Sequence, residues 1–292
     1  MSNNLDLSDR RFGYILTAPT VLIITLVILF PICFSLISSF FDYTLINKSF
    51  NDFIGIDNYI NSFKDEQLFN SIFVTIYFVI LVVLLEFILG FFIALLLNSI
   101  TRFKSIYYFI LLLPLLINPI VVGLIWRMFL HPQLGIFNYL LSLINIEPVN
   151  WLGDPQMAFI TIIFVDIWHQ VSFMIILLLA GLSAIPKEPY EAAKSDGANI
   201  YECFIHITLP YMRPVIVVTI LIRLIFAIKT YDLVYIMTKG GPGDSTDLIS
   251  YYIYRSAFIS LNLGEAAAMS LILLVIIIII TIPLFKYMNR LD

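Results

Sequence analysis

Residues 185–210 read IPKEPYEAAKSDGANIYECFIHITLP and carry Lys187, Glu188, Glu191, Lys194, Asp196, Glu202 and His206. On both sides the chain is almost wholly apolar for more than twenty residues. A polar island of this kind needs a reason, and composition supplies the first part of it. The 292-residue chain is 61% hydrophobic and 12% charged, with a mean hydropathy of +0.98. Soluble domains carry about 25% charged residues. The chain therefore reads as a membrane protein, and its length is counted in spans rather than in soluble domains. A net charge of −4 argues against a nucleic-acid partner.

A membrane-crossing helix needs about 20 mostly apolar residues. Six segments qualify: 13–40, 71–97, 106–130, 158–182, 214–237 and 266–285. The first is too long for a signal peptide and has no small-residue cleavage site, so a retained span is expected. Pro19, Pro31, Pro114 and Pro119 fall inside spans, where neighbouring helices can satisfy the freed carbonyls. The expectation is an all-α, polytopic membrane protein with six transmembrane helices, one membrane domain over 1–292.

Lys and Arg orient such a chain. With both termini inside, the inside segments hold nine of the sixteen: Arg10, Arg11, Arg102, Lys104, Lys187, Lys194, Arg213, Lys286 and Arg290. Lys48, Lys64, Arg127, Lys239 and Arg255 fall outside, with most of the carboxylates. The polar island then faces the cytoplasm. Within it, Pro186 and Pro189 open a helix, as Pro does at a first turn. Tyr190–Ser195 has helix-forming character and Gly197 breaks it. Ile200, Cys203, Phe204 and Ile207 recur on one helical face. Two readings follow: an amphipathic loop lying on the lipid surface, or a docking element whose small residues admit a partner and whose charges set its register.

At this point the residues carry a resemblance. Glu191, Ala192 and Ala193, then three residues, Gly197, nine residues and Ile207-x-Leu209-Pro210 resemble, without departure, the loop signature of the membrane subunits of binding-protein-dependent ABC importers. ILTAPTVLIITLVILFPICFSLISSFFDY (15–43), FIGIDNYINSF (53–63), FILLLPLLINPIVVGLIWRMFLHPQLGIFNYLL (109–141) and YDLVYIMTKGGPGDST (231–246) look like the carbohydrate-importing, maltose-type branch. The resemblance implies a coupling loop that sits in a groove of a separate ATPase. It implies Glu191, Ala192, Ala193, Asp196 and Gly197 as the coupling residues. The implied partners are two ATPase subunits, a second and different six-helix membrane subunit, an extracytoplasmic sugar-binding lipoprotein and the lipid bilayer. The setting is a bacterial-type cytoplasmic membrane. The transported solute is a sugar, an oligosaccharide first, with glycerol phosphate or another polar solute as the alternative.

The residues support that division of labour. No glycine is followed by lysine, so there is no GxxxxGK[ST] phosphate loop, and KGGPGD at 239–244 reads as a turn. Glu191 suits a basic groove, Gly197 a turn conformation that a Cβ disfavours, and Asp196 a helix cap. No catalytic residues, cofactor or metal are expected; His131, His169 and His206 are far apart in the topology. Cys33 and Cys203 read as apolar fillers.

Charges inside spans are costly and face a bundle interior or a wet cavity. Here they are Glu86, Asp166, Arg223, Lys229 and Asp232, with His169 beside them. Lys229 and Asp232 are spaced to share one helix face. A sugar needs hydroxyl partners and a flat ring to stack on, which Trp168, Gln170, Phe173, Thr230 and Tyr231 supply. With Asn118, Lys229 and Asp232 these form the expected substrate path. The family's glycine near the tryptophan is absent from WHQVSF (168–173), which leaves the pocket's shape, and so the sugar, open. An ion-coupled secondary transporter would also use intramembrane charges but needs no docking loop, and a membrane enzyme would need HExxH, GxSxG or clustered carboxylates, none of which is present.

Overall fold

The computed structural model describes residues 7–288 other than Lys48 and Thr101. Of the charges used for orientation, Lys48 and Arg290 lie outside the described residues, as do the side chains of Arg10, Arg11 and Lys104. The helices are α1 Leu7–Ser38, α2 Asp57–Ser62, α3 Glu66–Ser99, α4 Lys104–Leu112, α5 Pro119–Phe129, α6 Ile136–Leu143, α7 Pro155–Ala184, α8 Glu188–Ser195, α9 Ile200–Cys203, α10 Leu209–Ile228, α11 Asp232–Met237, α12 Ile249–Tyr254 and α13 Leu263–Met288. Among the described residues there is no strand, only two isolated bridges. Five helical runs are long and apolar enough to cross a membrane: Tyr14–Ser38, Glu66–Ser99, Pro155–Ala184, Ile200–Met237 and Leu263–Lys286. The protein is an all-α polytopic membrane protein.

The third expected span differs from its reading as one helix over 106–130. α4 ends at Leu112, Pro114–Leu116 form a single 3₁₀ turn, Ile117 is extended, and α5 starts at Pro119. The cause is local. Pro119 keeps Asn118 out of the helical region, at φ −59° and ψ 134°. Asn118 then caps α5, accepting a hydrogen bond from the Ile120 N–H at 2.9 Å. The fifth span also departs from expectation. α9, a π turn at Phe204–Thr208 and α10 follow one another without a gap, so the second helix of the polar island runs directly into the membrane.

The structure forms two compact units. One comprises the described parts of Met1–Asp65 with Ile253–Leu274. In it the segment after α1 is held by Asn58, whose side-chain amide donates to the Ser39 and Phe41 carbonyls at 2.9 and 3.0 Å. The rings of Phe34, Phe41, Tyr43, Phe50 and Phe53 pack edge-on and tilted around that segment.

The other unit comprises Glu66–Tyr252 and the described part of Val275–Asp292. Its centre is the pair α3 and α7, with α10 against both and α5 against α11. Without a hydrophobic drive in lipid, helices associate through close packing at small residues. Gly90 of α3 marks such a place: a Cβ there would lie 2.7 Å from the Met174 Cβ of α7. Gly181 does the same for α7 and α10, 2.8 Å from Val215 Cγ1. Within α6, buried Asn138 bonds the Pro132 carbonyl, both backbone groups of Val149 and the Trp151 indole. Lys239, Gly240, Gly243 and Asp244 all have positive φ, so KGGPGD is a turn. Cys33 is exposed, Cys203 is buried, and both are free thiols.

Candidate functional site

Two features of the second unit stand out: the surface element Glu188–Thr208 and a cavity beside the breaks in the third and fifth spans.

The surface element is two short helices joined by a fully hydrogen-bonded turn. At the end of α8, Gly197 adopts φ +84°. Its N–H donates to the Lys194 carbonyl at 3.1 Å and the Ala198 N–H to the Ala193 carbonyl at 2.9 Å. This is the paired pattern of a Schellman C-cap, with glycine in the left-handed position. Asn199 then opens α9 with a reciprocal capping box. The Glu202 N–H donates to Asn199 Oδ1 at 2.9 Å, and the Asn199 N–H donates to Glu202 Oε2 at 2.7 Å. Asn199, rather than Asp196, is thus the cap of the second helix; Asp196 ends the first.

Glu191, Ala192, Asp196 and Gly197 are exposed and Ala193 is half-buried. Of the apolar face expected at Ile200, Cys203, Phe204 and Ile207, Cys203 is buried, Ile207 is half-buried and Phe204 packs on Phe91, with ring centroids 5.9 Å apart. Ile200 of that face, however, is 86% exposed, and so is its neighbour Tyr201, at 80%. The element is tied into the membrane helix that follows it, and shows charges, small residues and two large apolar side chains to the outside.

The cavity, about 420 Å³, is lined by Gln170, Phe173, Lys229, Thr230, Tyr231 and Asp232 among others. These are six of the eight residues expected along a substrate path. The other two have different neighbours. Asn118 spends its side chain on capping α5. Trp168 packs edge-on against Trp126 at 5.4 Å, on the aromatic cluster under α5. The Lys229–Asp232 helix face does not form, because the fifth span breaks between them. Lys229 ends α10 and Asp232 starts α11, and among the described residues no ion pair joins them. Phe173 meets Phe226 edge-on at 6.1 Å, and Tyr231 stacks on Tyr235 at 5.4 Å.

The break in the third span is closed by α7. The Ile117 carbonyl, freed of a helical partner, faces His169 Nε2 at 3.0 Å. Gln170 Nε2 lies 3.1 Å from His169 Nδ1. Both contacts are satisfied by a neutral imidazole that donates from Nε2 and accepts at Nδ1. His169 is therefore a tie between helices, and it leaves the Gln170 carbonyl oxygen for the cavity.

Three residues absent from the expected path, Asp166, His169 and Arg223, also line the cavity. Arg223 of α10 is 1% exposed and bonds Glu86 of α3 through Nε at 2.5 Å and Nη2 at 2.8 Å. Its Nη2 also reaches Asp166 of α7. One guanidinium thus joins three spans. A buried charge is tolerated when it is paired and hydrogen-bonded. Charge inside an apolar run was the sequence signal for all three; what the sequence lacked was their meeting.

The profile described as binding-protein-dependent transport system inner membrane component matches residues 86–292. The trehalose/maltose transport system permease protein MalF of Thermococcus litoralis is 36% identical over 290 residues, covering 98% of this chain and 96% of that protein. The sulfoquinovosyl glycerol transport system permease protein SmoG of Agrobacterium fabrum is 34% identical over 268 residues, covering 92% and 87%. A bacterial alginate ABC transporter, solved in complex with an alginate pentasaccharide-bound periplasmic protein, superposes with a TM-score of 0.86 at 26% identity, covering 99% of this chain and 97% of that one. The shared family model, the near full-length relatives and the shared fold agree: the chain belongs to the inner membrane components of binding-protein-dependent transport systems, as the permease subunit of an ABC importer rather than an enzyme.

Proposed function

We propose that this permease imports a carbohydrate, by alternating access, with energy supplied by separate ATPase subunits docked on Glu188–Thr208. The observation that carries the reading is the cavity beside the broken fifth span. Helix breaks at membrane depth expose backbone polarity only where it lines a cavity, and here they bring together the side-chain amide of Gln170, the hydroxyl of Thr230, the ring of Tyr231 and the charges of Lys229 and Asp232. That set suits a polyhydroxylated solute. The substrates in the names of the relatives described above, trehalose/maltose, sulfoquinovosyl glycerol and alginate, support the same class.

In this reading 1–292 acts as one transmembrane domain with both termini cytoplasmic. Two ATPases engage this subunit and a second, different six-helix subunit, and an extracytoplasmic lipoprotein delivers the sugar. Glu191, whose carboxylate has no protein partner among the described residues, pairs with a basic group of the ATPase groove. Ala192 and Ala193 allow close approach, and Asp196 and Gly197 shape the turn.

The test is ATP-driven uptake in vesicles holding the complete complex, with ATP inside and binding protein plus sugar outside. Uptake should require all components, and Tyr231→Ala with Asp232→Ala should lower it at least tenfold with ATPase co-assembly intact. Wild-type uptake by both variants would place the substrate route elsewhere.

A further inference from the structure

We infer that the Arg223–Asp166 edge of the buried charge cluster is the floor of the cavity, and that it binds hydroxyl groups of a neutral sugar and carries no net positive charge to hold an anion. The inference rests on the carbohydrate reading above and adds to it a substrate charge class and two residues.

The geometry is specific. Arg223 and Asp166 are 1% and 3% exposed, and both line the cavity. Arg223 uses Nε and Nη2 on Glu86 and Asp166. Among the described residues no protein group accepts from its Nη1. Asp166 receives Arg223 on Oδ2 and lies beside the Glu86 carboxyl, which leaves room on a carboxylate that takes about four hydrogen bonds. A buried donor and a buried acceptor, held side by side and unsaturated, match two neighbouring hydroxyls of a sugar ring. One hydroxyl donates to the carboxylate and the next oxygen accepts from the guanidinium. Such charge-assisted bonds are the strong ones.

Charge decides the ligand class. One guanidinium faces two carboxylates, so the floor carries −1 with both ionised and zero with one proton shared between them. In neither state is it positive. On the rim, Lys229 and Asp232 add no net formal charge, though no ion pair joins them among the described residues. A sulfonate, phosphate or uronate entering this space would lose its hydration and find no net counter-charge. A neutral polyol would find both hydrogen-bonding partners already in place.

Glu86 sits behind the floor. It is fully buried and does not line the cavity, and it fixes the guanidinium through two bonds. It is a positioning residue, and that gives the control. Asp166→Asn and Glu86→Gln each remove one carboxylate charge and leave Arg223 paired with the other. Only the first alters a group that touches the ligand.

The assay is direct binding of radiolabelled trehalose, maltose and glycerol 3-phosphate to the complete complex in nanodiscs. The binding protein is omitted, so that its own selectivity does not enter. The wild type should bind a neutral disaccharide and not glycerol 3-phosphate. Asp166→Asn should weaken sugar binding roughly tenfold or more, the effect of one charge-assisted hydrogen bond. Glu86→Gln should weaken it less than threefold. Should Asp166→Asn fail to assemble, Asp166→Glu, which keeps the charge and moves the oxygens, should also weaken sugar binding at least tenfold. A wild type that binds glycerol 3-phosphate but neither disaccharide overturns the inference, as do equal losses in Asp166→Asn and Glu86→Gln. Complexes that import sugar normally but show no Asp166 effect overturn this inference and leave the importer reading standing.

Discussion

Replacement of Gly197 separates two physical accounts of the surface element. Gly197 holds φ +84°, and a Cβ built on it meets no atom within 4 Å. Within this chain, substitution therefore causes no clash. Its cost is the backbone conformation alone, roughly 1–2 kcal/mol for an ordinary L-residue in the left-handed region. More is expected for a β-branched one. A cost of that size lowers the population of the docked geometry about 5- to 30-fold, because the turn bonds from Gly197 and Ala198 to Lys194 and Ala193 must be kept or lost together. Asparagine tolerates the left-handed region better than alanine but is larger.

The series Gly197→Asn, Gly197→Ala and Gly197→Val thus has an order. If conformation governs, coupling falls from Asn to Ala to Val. If contact with the ATPase surface governs, Asn falls below Ala. The measurement is ATP hydrolysis stimulated by loaded binding protein, together with uptake, in complexes matched for subunit stoichiometry. Gly197→Val should lose at least tenfold in coupled hydrolysis with the melting temperature of the permease little changed. Wild-type coupling by the valine variant would refute the assignment of this turn to energy transfer.

Three further outcomes are expected. Arg223→Met leaves the Glu86 and Asp166 carboxylates buried without their cation, a change that costs about 3–5 kcal/mol; assembled protein and melting temperature in detergent should drop sharply, and an unchanged melt would show that the cluster bears no load. Gly90→Leu drives a side chain into Met174, where even a Cβ lies at 2.7 Å; a loss of about 1–3 kcal/mol should appear as a lower melt, with Gly90→Ala intermediate, and a wild-type melt for both would contradict the close α3–α7 contact. Single cysteines at Asn51 and Ser195, in a background without Cys33 and Cys203, should label from opposite sides of the membrane with an impermeant reagent; labelling of both from outside would reverse the proposed orientation.

Much of this protein is legible in its sequence. Apolar runs of about 20 residues specify spans because lipid leaves a backbone no partner but itself. The turn of the surface element was readable to the residue at Gly197, since left-handed backbone geometry selects glycine through a local steric rule. The break at Asn118–Pro119 was also written locally, in a proline that restricts the residue before it, yet its apolar neighbours hid it within a hydrophobic average.

Tertiary structure decided the rest. Asn199 took the cap because its side chain completed a reciprocal pair with Glu202, which Asp196, already closing the preceding helix, did not. Trp168 and Asn118 have the right chemistry for a sugar but the wrong neighbours, Trp126 and the first turn of α5. Lys229 and Asp232 are in register for one helix face only if the helix continues, and it stops between them. Glu86, Asp166 and Arg223 lie 57 to 137 residues apart along the chain. Each by itself reads only as a charge that a membrane helix should not carry. Their meaning appears when three spans pack, because in a medium of low polarity a buried charge settles only where its partners are, and no local pattern encodes where that is.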